Sequence, residues 1–277
     1  RVVDKAVVRL IDFTDEMYTE KELDDIDVLQ EYKNSSSLSW VNVDGLYDIK
    51  TIEKIGHIFD IHPLVLEDIL NVSQRPKTDV YKDYLFVVVK MLNYNEKLDL
   101  FESEQLSLVF GKNFVITFQE AAGDPFEPVR DRIRKKTRIV TKGSDYLAYS
   151  ILDMVVDTYF HVMERMGEWI EDLERDILER PDVSKTFEIN DLKRDALFLR
   201  RNIWPIHEVI HKLQRNEEGL IEESTTFFYN DLYDHIVQNI DNLENYRDMI
   251  ASLMELYMSN MSQKMNEVMK TLTIIAT

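Results

Sequence analysis

The chain has 277 residues, with 52 acidic against 33 basic side chains and a formal net charge of −19. That length can bury a core and suits two domains, an apolar content of 44% excludes general disorder, and the acid excess repels nucleic acid while attracting cations. The absence of cysteine excludes disulfides and cysteine-ligated zinc, and 7 Gly with 6 Pro favour long helices over a loop-rich all-β fold.

Residues 2–13, "VVDKAVVRLIDF", alternate as a strand, and "SLSWVNVDGL" reads as a second strand ending at Asp44-Gly45. "IKTIEKIGHIF" has helical spacing, and "IHPLVLEDIL" puts Pro63 at the first turn of a short helix. "YLFVVVKMLNY", "EQLSLVFG" and "NFVITFQE" are three β-rich runs, the last two joined by a tight turn at Gly111-Lys112-Asn113. "DPFEPVRDRIRKK" is an amphipathic helix. These elements predict an α+β fold with a mixed sheet, flanking helices and antiparallel neighbours. From Ser144 the texture changes. One long helix runs to Pro181, a second from "VSKTFE" is bent at Pro205, and a third runs from about Glu222 to the end without Pro or Gly. At 1.5 Å per residue, about 55 residues make a rod of roughly 80 Å, as a coiled coil or a stalk entering a membrane would be. The expected division is an α+β regulatory domain over residues 1–142 and a helical stalk over 143–277.

The last helix has two faces. Leu232, Ile236, Ile240, Leu243, Ile250, Leu253, Tyr257, Met261, Val268, Leu272 and Ile275 form an apolar stripe. Asp234, Gln238, Asp241, Asn245, Asp248, Ser252, Glu255, Ser259, Ser262 and Asn266 form a polar one, in unbroken steps of four and three and without a basic residue. That stripe continues as Met269, Thr273 and Ala276. Several copies side by side would enclose an acidic, water-lined tube; carboxylate rings select cations, and apolar constrictions gate by dewetting. A solvated helix face is the plainer explanation, and it normally carries Lys and Arg as well. No secretory signal is visible and no stretch reaches the roughly 20 apolar residues that span a bilayer. The chain opens on Arg1 and closes on "TLTIIAT", so both ends read as trimmed, with a membrane span expected to begin at about residues 268–277.

"IHPLVLEDILNVSQRPK", "ESEQLSLVFGKNFVITFQE", "LKRDALFLRRNIWP", "DLYDHIVQNID" and "NEVMKTLTIIAT" resemble the CorA family of magnesium and cobalt channels, over essentially the whole chain. The resemblance implies a homopentamer, funnel-shaped, in the cell (inner) membrane with this portion on the cytoplasmic side. It also implies that Mg2+ is both transported and regulatory, with Co2+ as a further cargo. By match, Asp68 and Asp231 would bind regulatory Mg2+ across a subunit interface, and Glu67, Asp153, Asp157 and His235 would form a second acidic site. Asn266, Met269, Leu272, Thr273 and Ala276 would line the inner pore, with Glu255 and Ser262 above them and Met269 and Leu272 as the gate. The family's Gly-Met-Asn signature is absent from this sequence, so a zinc-transporting relative stays open as an alternative.

A competing pattern is "HEVIH", in which His207 and His211 would bind zinc and Glu208 would act as general base of a hydrolase. Glu217, Glu218, Glu222 and Glu223 are the candidate third ligands. Relatives resembling this chain usually carry a basic residue where His207 stands, so the pattern is a departure from the family and not one of its features. The expectation is a chain that is not an enzyme.

Overall fold

The computed structural model describes residues 5–276 apart from 122, 181 and 216–218. The strands are β1 (Val7–Phe13), β2 (Tyr18–Glu22), β3 (Leu38–Asp44), β4 (Lys77–Val80), β5 (Tyr84–Asn95), β6 (Leu100–Gly111) and β7 (Phe114–Gln119). The helices are α1 (Leu29–Tyr32), α2 (Ile49–Ile58), α3 (Pro63–Leu70), α4 (Glu127–Arg134), α5 (Ser144–Glu179), α6 (Ser184–Arg215) and α7 (Glu223–Ala276). The α+β class with a mixed sheet is what the sequence implied.

The strands make one sheet in the order β2-β1-β3-β7-β6-β5-β4. Neighbours are antiparallel except β3 and β7, which run parallel with Trp40 opposite Val115. The expectation of antiparallel neighbours held for strands close in sequence. It missed the one pair formed by chain segments on either side of α2, α3 and the β4–β6 meander.

Strict alternation sends the side chains of each strand to two cores. Val8, Leu10, Val41, Val43, Phe86, Val88, Ile116 and Phe118 face α2 and α3, which bury Ile52, Ile55, Val65 and Ile69 against them. Phe13, Trp40, Leu85, Val87, Val89, Leu108 and Val115 face the other way. There Phe126, Val129 and Ile133 of the α4 segment, and Leu147, Ile151, Val155 and Tyr159 of α5, cover them. Tyr159 is fully buried and donates its hydroxyl to the Lys90 carbonyl at 2.5 Å, fixing α5 on β5.

The second face also encloses a polar network. Trp40 Nε1 donates to Thr117 Oγ1 at 3.0 Å, Thr117 donates to Asn42, and Asn42 and Gln119 both donate to Asp44. Arg130 closes it, with its guanidinium 5.1 Å over the Trp40 ring and paired to Asp124.

The same core continues without a break along α5, α6 and α7. Ile170, Leu173 and Ile177 meet Ile189, Leu192, Leu199 and Ile203, and α7 contributes Leu232, Ile236, Leu243, Ile250, Leu253 and Tyr257. Asp145 pins the start of α7: its carboxylate accepts from the Glu222 amide at 2.9 Å and its carbonyl from Tyr229 Oη at 3.0 Å. Helix α6 passes through Pro205 without ending, although a proline there removes one backbone hydrogen bond. Pro181 lies outside the described residues. Near the far end Asn260 donates to the Ile177 carbonyl at 3.2 Å. Beyond Met261 every described residue of α7 is exposed, so the 54-residue helix outruns its partners.

Candidate functional site

The expected cation ligands fall in two places. The first is the last turn of α3. His62 caps that helix, its Nδ1 accepting from the Leu64 amide at 3.2 Å, and Pro63 fills the position where no amide donor is needed. The register this sets leaves Glu67 exposed and Asp68 half-buried. Asp68 already has partners: Lys77 Nζ of β4 lies 2.6 Å from Oδ2, and the Gln74 amide bonds to Oδ1. Lys77 is also 2.7 Å from Asp79. Burial alone would lower the Lys77 pKa, but the two carboxylates raise it above the ordinary lysine value. Nothing in the local sequence signals this pair, because a lysine nine residues on reaches Asp68 only through the β4–β5 pairing.

The second place is the facing surfaces of α5 and α7. Asp153 and Asp157 share one face of α5, and Asp231 and His235 one face of α7. Asp153 is half-buried, and its pKa is pushed up to about 6. Burial is the main cause and the Asp157 and Asp231 charges add to it, while His235 and Arg132 oppose. Burial and the charges of Asp153 and Asp231 likewise push the Tyr149 hydroxyl pKa up. His235 Nε2 sits 4.0 Å from Asp231 Oδ2, its ring meets Phe160 edge-on, and its Nδ1 is buried without a hydrogen-bond partner. A crowd of acids with a raised carboxyl and an orphaned imidazole nitrogen suits a cation. Yet among the described residues no three His, Asp or Glu side chains of one chain converge closely enough to hold a metal.

The raised Asp153 carboxyl has a measurable consequence. Its folded pKa lies above the unfolded value of about 3.9, so the native state binds the extra proton and stability is lost as pH rises from about 4 through about 6. In metal-free buffer at pH 7.5, Asp153→Asn should therefore stabilise the chain by about 1–2 kcal/mol, allowing for solvent screening at a half-buried site. Urea unfolding at pH 7.5 and at pH 4 checks this: the gain should vanish at the lower pH, and an equal gain at both would mean the charge is not its origin.

The polar stripe of α7 is exposed at all ten of its positions from Asp234 to Asn266, including Glu255 and Ser262. The opposite face is buried at Leu232, Ile236, Leu243, Ile250, Leu253 and Tyr257. Met269 and Leu272 are exposed by 58% and 55%, as are Thr273 and Ala276, and the Thr273 hydroxyl bonds the Met269 carbonyl within the helix. Among the described residues no helix is long and apolar enough to cross a membrane.

Of the "HEVIH" histidines, His207 is half-buried and engaged with α7, while His211 is exposed. Their rings lie parallel, and His207 Nε2 is 2.7 Å from the Tyr233 hydroxyl of α7. Glu208 is exposed; Glu217 and Glu218 lie outside the described residues.

A family model described as "CorA-like Mg2+ transporter protein" matches residues 35–277. The cobalt/magnesium transport protein CorA of Thermotoga maritima is 42% identical over 271 residues, covering 98% of this chain and 77% of that protein. The complete structure of the CorA magnesium transporter from Methanocaldococcus jannaschii superposes with a TM-score of 0.78 at 20% identity, covering 99% of this chain and 83% of that one. The ZntB cytoplasmic domain from Vibrio parahaemolyticus does so with a TM-score of 0.75 at 15% identity, covering 93% of this chain and 98% of the other. At those identities the two structures speak to the fold.

Proposed function

The chain belongs to the CorA family, and from that premise we propose that it is the Mg2+-sensing and pore-stalk part of a divalent-cation channel. The family is one of transporters, so the His207-Glu208-His211 pattern is not a hydrolase centre. The observation that carries the proposal is the α7 stripe. Ten polar or acidic positions stay exposed along one side of a helix whose other side is buried in its own chain from Leu232 to Tyr257. The stripe positions carry no basic residue, although exposed Arg247 beside them pairs with Asp248 at 3.2 Å; repeated around an axis, such an acidic face attracts cations and repels its own copies unless they are present.

In this reading residues 1–142 regulate and residues 143–277 form the stalk of a homopentamer. The assembly sits in the cell (inner) membrane with this portion on the cytoplasmic side. Asn266, Met269, Leu272, Thr273 and Ala276 line the narrow end. Mg2+ is cargo and regulator; Co2+ is a second cargo. The 42% identity to a cobalt/magnesium transport protein favours these ions over Zn2+. Asp68 and Asp231 of different copies would share the regulatory ion, with Asp153, Asp157, Glu67 and His235 nearby. Mg2+ suits such a site because it keeps several waters and needs only one or two carboxylates. Lys77 can release Asp68 to the ion while keeping Asp79.

The chain has no cysteine, so single cysteines report cleanly. Ser262→Cys and Glu255→Cys should crosslink copies of the chain under mild oxidation, with Mg2+ raising the yield. Arg194→Cys, on exposed α6, serves as control. Equal yields at Ser262 and Arg194 would reduce the stripe to a solvated face.

A further inference from the structure

A cavity of about 850 Å³ lies between the loop after α3, the middle of β5 and the outer face of α6. Arg75, Lys90, Arg200 and Arg201 line it, and no carboxylate does. In a chain of net charge −19 such a concentration of cations runs against the composition. Arg75 and Arg201 are exposed and, among the described residues, make no ion pair. Arg200 pairs with Glu244 at 3.3 Å and places its guanidinium 5.5 Å over the ring of Trp204, which is 43% exposed. Lys90 is the buried member, only 8% exposed. Its ammonium donates to the Val72 carbonyl at 2.7 Å and to Gln105 Oε1 at 3.3 Å, leaving one of its three donors for a ligand.

These features suit an anion with a flat ring attached. Guanidinium groups bind phosphate bidentately, and an exposed indole stacks on a base. The volume falls within the range of small-molecule sites. We propose that this cavity binds a nucleoside polyphosphate, its phosphates drawn to Arg75, Arg201 and Lys90 and its base to the Arg200–Trp204 stack. None of the proposed cation ligands lines this cavity; Gln74, which lines it and bonds Asp68, is the one residue between the two sites.

Isothermal titration of the full chain with ATP, and separately with tripolyphosphate, in metal-free buffer tests it. ATP should bind saturably. Arg75→Ala, Arg201→Ala should weaken it about tenfold or more, the loss of charge-assisted hydrogen bonds to phosphate. Both side chains are exposed, so the variant should fold; thermal unfolding checks that it does. Trp204→Leu should weaken ATP while leaving tripolyphosphate within about twofold, as base stacking requires. No saturable ATP binding would overturn the proposal, as would an unchanged affinity in the arginine double variant. Tripolyphosphate binding as tightly as ATP, with Trp204→Leu without effect, would overturn the nucleotide assignment. A double variant altered only in oligomeric mass would make the patch a contact between copies and overturn the proposal too.

Discussion

The Asp68→Asn, Asp231→Asn double variant should lose most of the protection that Mg2+ gives this chain against heat and protease. An ion that binds only the folded assembly stabilises it by RT ln(1 + [L]/Kd), about 2.7 kcal/mol per site at a hundredfold excess. Several such sites acting together would bias a two-state gate strongly. The Lys77 pairing makes the result interpretable. Asp68 is bonded to Lys77, so Asp68→Asn also removes an ion pair between a lysine side chain 32% exposed and a carboxylate 21% exposed. A pair that open contributes at most about 1 kcal/mol, and its loss would lower stability equally with and without Mg2+. Loss of a cation site instead lowers only the Mg2+ increment. The measurement is Tm and protease half-life across a Mg2+ titration for wild type, each single variant and the double. An unchanged increment would remove Asp68 and Asp231 as the principal sensor and turn attention to Glu67, Asp153, Asp157 and His235.

Arg130→Ala should cost about 3–5 kcal/mol, the range for breaking a buried ion pair by removing one partner. The Arg130 and Asp124 side chains are 3% and 4% exposed, and Arg130 Nη1 lies 2.8 Å from Asp124 Oδ1. Burial alone would raise the Asp124 pKa; the hydrogen bonds and charge of Arg130 hold it below the ordinary carboxylate value. Asp44 shows the opposite balance: burial and the Asp124 charge raise it. Without Arg130, two neighbouring acids would face each other in a closed site. Burial and the Asp44 charge would then raise the Asp124 carboxyl above its ordinary value, and a raised carboxyl costs stability as pH rises through its folded pKa. The variant should therefore be most destabilised near pH 7.5 and recover part of the loss near pH 5, where Asp124 can accept a proton. Adding Asp124→Asn should recover part of it at pH 7.5 as well. Urea unfolding that finds a deficit under about 1 kcal/mol at pH 7.5 would mean that water reaches the pair and that the network is not closed.

Much of this architecture is legible in the amino-acid order. Val41, Val43, Val115 and Phe118 lie in runs whose apolar content needs a strand, and Asp44-Gly45 and Gly111-Lys112-Asn113 end or turn them, so β1, β3 and β5–β7 could be placed. The apolar spacing of Leu232 through Tyr257, with no Pro or Gly after it, determined a single long α7, and the same spacing put ten polar residues on one side of it. Periodicity of this kind is local: it depends on residues within a turn or two, and the sequence alone carries it. Other features depend on residues far apart in the chain. Strands β2 and β4 are polar edge strands, "YTEKE" and "KTDV"; they exist because a neighbour offers hydrogen bonds, not because a pattern demands burial. Asn42, Thr117 and Gln119 look like outward positions of their strands, and only the arrival of α4 over that face makes them a closed network with Trp40 and Arg130. Lys77 reaches Asp68, and Asp153 meets Asp231 and His235, only after the sheet and the helices have packed. The chemistry of each acid was therefore written in the sequence as a residue type. Whether it ended solvated, paired with a lysine or pushed up toward neutrality was decided by tertiary structure, because burial and neighbouring charge set the energy of a carboxylate and neither is a property of its place in the chain.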